Sequence, residues 1–458
     1  MTSDLAVVVS RADEASVHIG QRLREIVSWD ETVDESRADA AGGGAVYRHE
    51  NVVMRTFEKR HLAMVDVAVA FDSPRLIVFA SRHAGDTGPL LTAHHTGNFG
   101  AAEYGGESRA LARAAPAALA AVYDAFQEYA PSEYDVGLEC THHGPTAVGA
   151  PSLFVELGSD ATQWEDPAGA RAVARSILAL ADVDPDTARE AGRCRHLVGF
   201  GGGHYVPRFE RIVAETDWAV GHVAADWCLD ELGEPTAATD VIDGAFAASA
   251  AEYAVLEADR PALQAVIEDL GYRVVSETWV RETDGVALHL VERLESMVCT
   301  VDAGLRFGTP ARESGGTSTD PIPGAVPDTL STALNAVDQD ATRQTIHEHA
   351  LAYETDHGGS RATGAVVVPD RAAGRQLRER FVAVLAAGYD AVELDGDTIV
   401  AHRSEFDPEL ARKAGVEPGP DFGSLAEGES VTVDGDHVDP GDVTVERERR
   451  LPATIVTA

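Results

Sequence analysis

Four short stretches in the first half of the chain concentrate side chains that can move protons or hold a metal. They are Ser81-Arg82-His83, Leu91-Thr92-Ala93-His94-His95-Thr96-Gly97-Asn98, Glu139-Cys140-Thr141-His142-His143-Gly144-Pro145 and Gly201-Gly202-Gly203-His204-Tyr205. Neutral imidazole is a general base near neutral pH and a good zinc ligand. A carboxylate such as Glu139 orients an imidazole or a water. A glycine run behind a strand lets backbone N–H groups approach an anion or a developing oxyanion. This inventory suits hydrolysis of an ester or amide, with or without a metal. It suits redox chemistry poorly, because Gly199-Phe200-Gly201-Gly202-Gly203-His204 puts a histidine where a dinucleotide-binding loop needs its third glycine. No phosphate-binding G-x-x-x-x-G-K-[ST] loop occurs.

The candidates are not equal. His142 and His143 beside Glu139, and the run from Gly201 to His204, carry the strongest signal, since several chemical groups coincide there. His95, Cys140 and Thr141 are weaker, and Cys140 borders an apolar run as a core residue would. His347, His349 and His357 lack the i, i+4 spacing of a helical metal site. Arg447, Arg449 and Arg450 read as a solvated surface. The four cysteines, Cys140, Cys194, Cys228 and Cys299, form no C-x-x-C pair, which argues against a zinc ribbon or a disulfide framework.

These motifs need elements to place them. Residues 5–9 and 76–80 are short apolar runs that predict strands, and Asp13 is a candidate N-cap for a helix to about residue 27. Residues 108–129 predict one long helix, or a pair kinked at Pro116. Strands are expected at 136–140, 153–157 and 196–200, and a helix at 166–180. Strands alternating with helices indicate a layered α/β domain with a largely parallel or mixed sheet. A further strand–helix–strand is expected over 253–256, 261–270 and 272–280. Residues 309–327 are rich in Gly, Pro, Ser and Thr and predict a flexible linker. Beyond it, a helix near 371–387 and short strands near 390–394, 398–401 and 430–433 predict an α+β extension. Polar strand ends in an open α/β sheet gather ligands, so the four motifs are expected to share one pocket.

Acidic residues number 76 and basic residues 37, for a formal charge of −39 over 458 residues, and only Lys59 and Lys413 are lysines. Self-repulsion of this size is tolerated where salt screens it, the Debye length falling to roughly 3 Å at 1 M. The charge therefore points to a salt-rich cytosol and does not exclude a nucleic-acid partner. The N-terminus has no basic, apolar leader pattern, and no run approaches the roughly 18 apolar residues of a membrane helix. A cytoplasmic protein with no membrane association is expected.

The motif set S-R-H, L-T-x-H-x-T-G-N-[FW]-G, Y-G-G, E-x-T-H-H-G-P, P-S-x-F-x-E-[LI]-G-S and G-G-G-H-Y-x-P resembles the archaeal and plant type of D-aminoacyl-tRNA deacylase. Here the motifs begin at Ser81, Leu91, Tyr104, Glu139, Pro151 and Gly201, in the family's order, and Gly221-His222 also fits. His83, His94, Asn98, Glu139, Thr141, His142, His143, Glu156 and His204 fall on motif positions; His95 and Cys140 do not. The resemblance runs to about Thr283. It implies hydrolysis of the ester joining a D-amino acid to the 3′-terminal ribose of tRNA. It also implies zinc and a layered α/β/α core with a mixed sheet, related to phosphorylase- and peptidyl-tRNA-hydrolase-like folds. The expected organisation is a catalytic region over 1–283, a connecting segment and linker over 284–327, and a C-terminal α+β extension over 328–458. Residues 411–435 resemble a tail segment of tRNA 3′-end-processing endonucleases, but the H-x-H-x-D-H motif of those enzymes is absent.

On this basis the expected catalytic residues are His142, His143, Glu139, Thr141 and His204. Gly201, Gly202 and Gly203 are expected to hold the oxyanion, with His94, Asn98 and His83 contacting substrate. The expected zinc ligands are His142, His143 and His204. A monomer with no obligate protein partner is expected. A peptidyl-tRNA-hydrolase-like esterase, or a non-catalytic protein gripping the tRNA 3′ end, are the alternatives.

Overall fold

The computed structural model describes residues 4–190, 192–314, 320–433 and 435–456. They divide into two compact units, one ending at Asp284 and one beginning at Gly285. No helix among the described residues is long and apolar enough to cross a membrane.

The first unit holds strands β1 (Leu5–Ser10), β2 (Asp30–Asp34), β3 (Ala41–His49), β4 (Val52–Phe57), β5 (Leu76–Arg82), β6 (Leu90–His94), β7 (Gly97–Asn98), β8 (Ala110–Leu111), β9 (Asp135–Leu138), β10 (Ser152–Gly158), β11 (His196–Phe200), β12 (Ala219–Ala224), β13 (Tyr253–Leu256) and β14 (Arg273–Val274). Eight of them form one mixed sheet in the order β2-β3-β4-β1-β5-β10-β6-β9. β4, β1, β5 and β10 run parallel, whereas β6 and β9 run parallel to each other and against β10. β1 and β10 are buried along their whole length, so they read as unbroken apolar runs and not as alternating ones. The β2 edge is exposed and carries Asp30 and Glu31, charges that discourage pairing with another chain.

Helices Glu14–Ile26, Pro116–Tyr129 and Pro167–Ala179 pack on one another and on this sheet. Asp13 caps the first of them through Ser16 N at 3.0 Å, an interaction worth about 1 kcal/mol. The other Asp13 oxygen accepts from Arg82 N at 3.2 Å, tying the start of the helix to the end of β5.

A second sheet, wholly parallel, has the order β12-β11-β13-β14. The chain leaving β9 joins the two sheets. Cys140 N donates to His204 O at 2.8 Å, Thr141 N to Val223 O at 2.8 Å, and Val206 N donates back to Leu138 O at 3.1 Å. The E-x-T-H-H motif is therefore a seam between sheets.

Three sequence expectations are corrected. Pro116 does not kink a long helix; it occupies the first turn of Pro116–Tyr129, where its missing N–H costs nothing, and the residues before it include β8. Residues 272–280 are not one strand, because Ser276 accepts from Trp279 N at 2.9 Å and starts the helix Glu277–Glu282. The expected linker at 309–327 contains a helix, Thr309–Glu313, and a paired strand; its residues 315–319 lie outside the described residues.

The second unit holds β15 (Leu305–Phe307), β16 (Ile322–Ala325), β17 (Ala352–Asp356), β18 (Arg361–Val368), β19 (Ala391–Asp395), β20 (Thr398–Phe406), β21 (Val431–Val433), β22 (Asp436–Val438) and β23 (Thr444–Pro452). An antiparallel sheet β15-β17-β18-β16 packs with helices that supply Leu330, Leu334, Ile346, Leu377 and Phe381 to one core. Arg447, Arg449 and Arg450 lie exposed on β23, where Arg450 pairs with Asp395 at 2.9 Å. His347 contacts the Tyr353 hydroxyl at 3.3 Å.

Candidate active site

The expected crevice beyond one row of strand ends is not what forms. β6 and β9 oppose β5 and β10, so their carboxyl ends cannot share an edge. The site lies instead on a face of the sheet. Residues two apart on a strand project to the same side, and β10 presents Phe154 and Glu156 together. β6 sets His94 opposite Phe154 and Thr92 opposite Glu156, and β5 sets Ser81 beside Glu156. The seam after β9 and the loop after β11 then bring in Glu139, His142, His143 and His204. All four motifs reach one cavity of about 540 Å³.

Glu139 is the hub. Its side chain is 1% exposed. Oε2 lies 3.0 Å from His204 Nε2 and 3.5 Å from His142 Nε2, and Oε1 lies 3.4 Å from His83 Nε2. Oε1 has no hydrogen-bond partner. Burial by itself would raise this carboxyl. The hydrogen bond from His204 and the imidazoles of His94, His142 and His83 outweigh burial and hold it at about 2. Glu139 is thus a fixed negative charge in a ring of imidazoles.

Two of those rings, His94 and His142, share a second feature with His143. His94, His142 and His143 each place Nδ1 on a backbone carbonyl, at His95 O (3.1 Å), Cys140 O (2.9 Å) and Gly144 O (2.7 Å). This fixes hydrogen on Nδ1 of each ring and leaves a lone pair on Nε2 of His142 and His143; on His94, burial opposes the charged form but Glu156 outweighs it and raises the imidazole, so its Nε2 is open to a metal once that proton is given up. Histidines that ligate metals are held in this manner. Nitrogens of the three lie within 4.8 Å of one another, and His94 Nε2 is buried without a hydrogen-bond partner. These residues fit a metal ion. The set differs from the expected His142, His143 and His204: His204 groups instead with Cys140 and His142, or with His83 and Glu139. Burial first, and then neighbouring His94, push His142 and His143 well below the ordinary imidazole range, so both are neutral at pH 7.

Glu156 behaves oppositely to Glu139. Burial pushes it up to about 7, against the attraction of His94, whose Nε2 is 3.7 Å away. Glu156 falls on a motif position, but the motif gives it no role. The available signal was a carboxylate two residues from Phe154 inside an otherwise apolar strand. His61 also lines the cavity, packed edge-on against Phe79 and Phe154, and no sequence pattern announces it.

Other expected residues have their polar groups engaged elsewhere. Gly201 N donates to Ala224 O at 2.8 Å and Gly202 N to Asp226 Oδ1 at 3.1 Å, and none of the three glycines lines the cavity. The run is needed for its turn: Gly201 and Gly202 have φ of 112° and 88°, and a Cβ on Gly202 would meet Glu257 Oε2 at 2.0 Å. The amides of Gly201 and Gly202 are therefore not free to hold an oxyanion, contrary to the sequence expectation. The Thr141 hydroxyl accepts from Val223 N at 3.1 Å and faces His222 Nδ1 at 3.0 Å, which makes it a strut of the seam. Asn98 Nδ2 donates to Gly105 O (2.9 Å) and Glu107 O (3.1 Å), bracing a loop at the cavity. His95 is buried between Ala115 N (3.0 Å) and Gly221 O (3.1 Å). Cys140 is fully buried, and its Sγ is 3.8 Å from His204 Nδ1.

A model of the D-aminoacyl-tRNA deacylase family matches residues 70–275, the span that carries these motifs. A D-aminoacyl-tRNA deacylase of Natronomonas pharaonis is 55% identical over 447 residues, covering 98% of this chain and 99% of its own length. One of Haloarcula marismortui is 52% identical over 452 residues, covering 97% and 99%. A crystal structure described as a conserved protein of unknown function superposes with a TM-score of 0.54 at 25% identity, covering 62% of this chain and 98% of that one.

Proposed function

Because the chain belongs to the D-aminoacyl-tRNA deacylase family, we propose that it hydrolyses the ester between a D-amino acid and the 3′-terminal ribose of tRNA, with neutral His142 or His143 as base and Glu139 as counter-charge. The products are free tRNA and free D-amino acid, so the reaction recycles mischarged tRNA and limits D-amino acid toxicity. The observation that carries the mechanism is one buried, ionised carboxylate within 3.5 Å of three imidazole nitrogens on a cavity wall.

The ester is already activated by the neighbouring ribose hydroxyl and the amino-acid ammonium. Catalysis then needs a positioned water and charge stabilisation. A water at Nε2 of His142 or His143 gives up a proton to that nitrogen as its oxygen attacks the ester carbonyl. The new imidazolium is stabilised by Glu139, 3.5 Å from His142. Collapse breaks the bond to the ribose oxygen, and the same proton passes to that oxygen. His204 has a 40% exposed side chain, so it is the ring of this set that can meet the substrate while hydrogen-bonded to Glu139.

The donor set supports zinc, held by His94, His142 and His143. With zinc bound, those histidine nitrogens would serve as ligands in place of a base, and the metal would supply Lewis acidity and lower the pKa of a ligated water. We also read the first unit as the layered α/β/α, phosphorylase- and peptidyl-tRNA-hydrolase-like core, and the protein as a cytoplasmic monomer. In support of the fold reading, helices Glu14–Ile26, Pro116–Tyr129 and Pro167–Ala179 pack against the large sheet.

The test is deacylation of D-Tyr-tRNA, L-Tyr-tRNA and N-acetyl-Tyr-tRNA in molar KCl, with metal analysis and chelation alongside. Multiple turnovers on D-Tyr-tRNA with little action on the other two are expected. Preference for the N-acetyl substrate would make this a peptidyl-tRNA hydrolase; fewer than one turnover per protein would make it a binding protein.

A further inference from the structure

Two large aromatic side chains stand exposed on the described surface, Tyr104 at 68% and Trp227 at 42%, and both line the catalytic cavity. The other exposed large apolar residues are Val33, Val65 and Val69, and none of them lines it. Neither aromatic ring makes a ring–ring or cation–ring contact among the described residues.

Their backbone, in contrast, is firmly held. Tyr104 O accepts from Gly144 N at 3.1 Å, beside His143. The next residues are clamped by Asn98 Nδ2, and Glu107 N donates to Thr146 Oγ1 at 2.9 Å. Gly105 and Gly106 take φ of 84° and 75°, and a Cβ on Gly105 would lie 2.1 Å from Leu62 O. The Y-G-G motif is thus a tight, glycine-dependent turn whose product is an outward tyrosine. On the other side, Cys228 Sγ contacts Thr141 O at 3.8 Å, which ties the residue after Trp227 to the same catalytic turn. Both rings therefore flank the segment that carries Glu139, His142 and His143.

We infer that Tyr104 and Trp227 receive the 3′-terminal adenine of the substrate by stacking. The inference rests on the function proposed above, which puts the scissile ester on the ribose that bears this base. Charge favours the same occupant. A chain of net charge −39 repels the tRNA backbone at long range. Molar salt also weakens phosphate contacts steeply. Stacking on an aromatic face acts at short range and contributes on the order of tenfold or more in affinity per base.

The experiment compares the D-tyrosyl 3′-ester of adenosine with the D-tyrosyl ester of base-free ribose, in molar KCl, with circular dichroism confirming the fold. Wild type should favour the adenosine ester by about tenfold or more, mainly in KM. Tyr104→Ala and Trp227→Ala should treat the two esters nearly alike, while Tyr104→Phe and Trp227→Phe retain most of the preference. Folded alanine variants that keep the full preference overturn the inference. So do variants that keep it but lose discrimination between D-tyrosyl and D-alanyl esters, because the rings would then hold the amino-acid side chain. If wild type deacylates D-Tyr-tRNA but shows no base preference, this inference alone fails. If wild type deacylates nothing, the proposed function fails and this inference with it.

Discussion

Glu139 and Glu156 sit with His94 in one buried cluster, ligand atoms within 4.8 Å of one another, yet one carboxyl is held at about 2 and the other is pushed up to about 7. Burial raises both. The difference is in the partners: Glu139 faces His204, His142 and His83 as well as His94, whereas Glu156 has His94 alone and the repulsion of Glu139 and Asp13. Two carboxyls separated in this way divide into a permanent charge and a proton holder. Glu139→Gln should lower kcat by roughly 100-fold or more, since it removes the counter-charge. Glu156→Gln, which resembles the protonated acid, should cost less than about tenfold. Equal losses in single-turnover rates would contradict this division.

His142→Ala and His143→Ala should each lower deacylation by at least ~100-fold, the usual cost of losing a general base or metal ligand. Both rings are half-buried at the cavity, so the fold should survive, as circular dichroism would show. A folded variant with near wild-type rate would reduce that histidine to a structural part.

Cys140→Ala and His95→Ala should keep at least a tenth of the activity per folded molecule. The two differ in stability. His95 bridges Ala115 N and Gly221 O, so its removal strands two buried backbone groups and should cost about 2–4 kcal/mol. Denaturant midpoints separate the cases. An aminoacyl adduct trapped on Cys140 would replace water attack with covalent catalysis.

Activity and tRNA affinity should rise from dilute buffer into molar KCl. With a formal charge of −39, self-repulsion and repulsion of tRNA both reach far at low salt, about 30 Å at 0.01 M. A steady fall in affinity between roughly 0.1 and 2 M KCl, with the protein folded throughout, would reveal a concentrated basic surface.

His222 makes stability depend on pH. Burial pushes its imidazole from 6.5 down to about 4 while it bridges Thr141 and Ala112 O. The unfolded chain therefore binds the extra proton first as pH falls. The contribution is complete above about pH 6.5 and is lost toward pH 4, by roughly 1.4 kcal/mol per pH unit. Denaturation in molar KCl at several pH values from about 6.5 to 5 should show a shallower slope in His222→Asn than in wild type; parallel slopes would refute it.

How much of this was legible in the chain itself differs by element. β1, β5, β10 and β11 announce themselves because strands buried on both faces must be continuous apolar runs. The helix after Asp13 does so because capping is a local matter between Asp13 and Ser16. The chemistry of Glu139, His142, His143 and His204 is legible for the same reason: it resides in residue types clustered within a few positions. What only the tertiary structure decided is direction and partnership. That β6 runs against β10, which moves the site from a strand-end crevice to a sheet face, depends on long-range pairing that no window of residues contains. That the amides of Gly201 and Gly202 are already engaged depends on Ala224 and Asp226, more than twenty residues away. And the ionisation of Glu139 and Glu156 is set by which imidazoles the fold brings to each, because in a buried site neighbouring charges and desolvation, not residue type, determine where a carboxyl titrates.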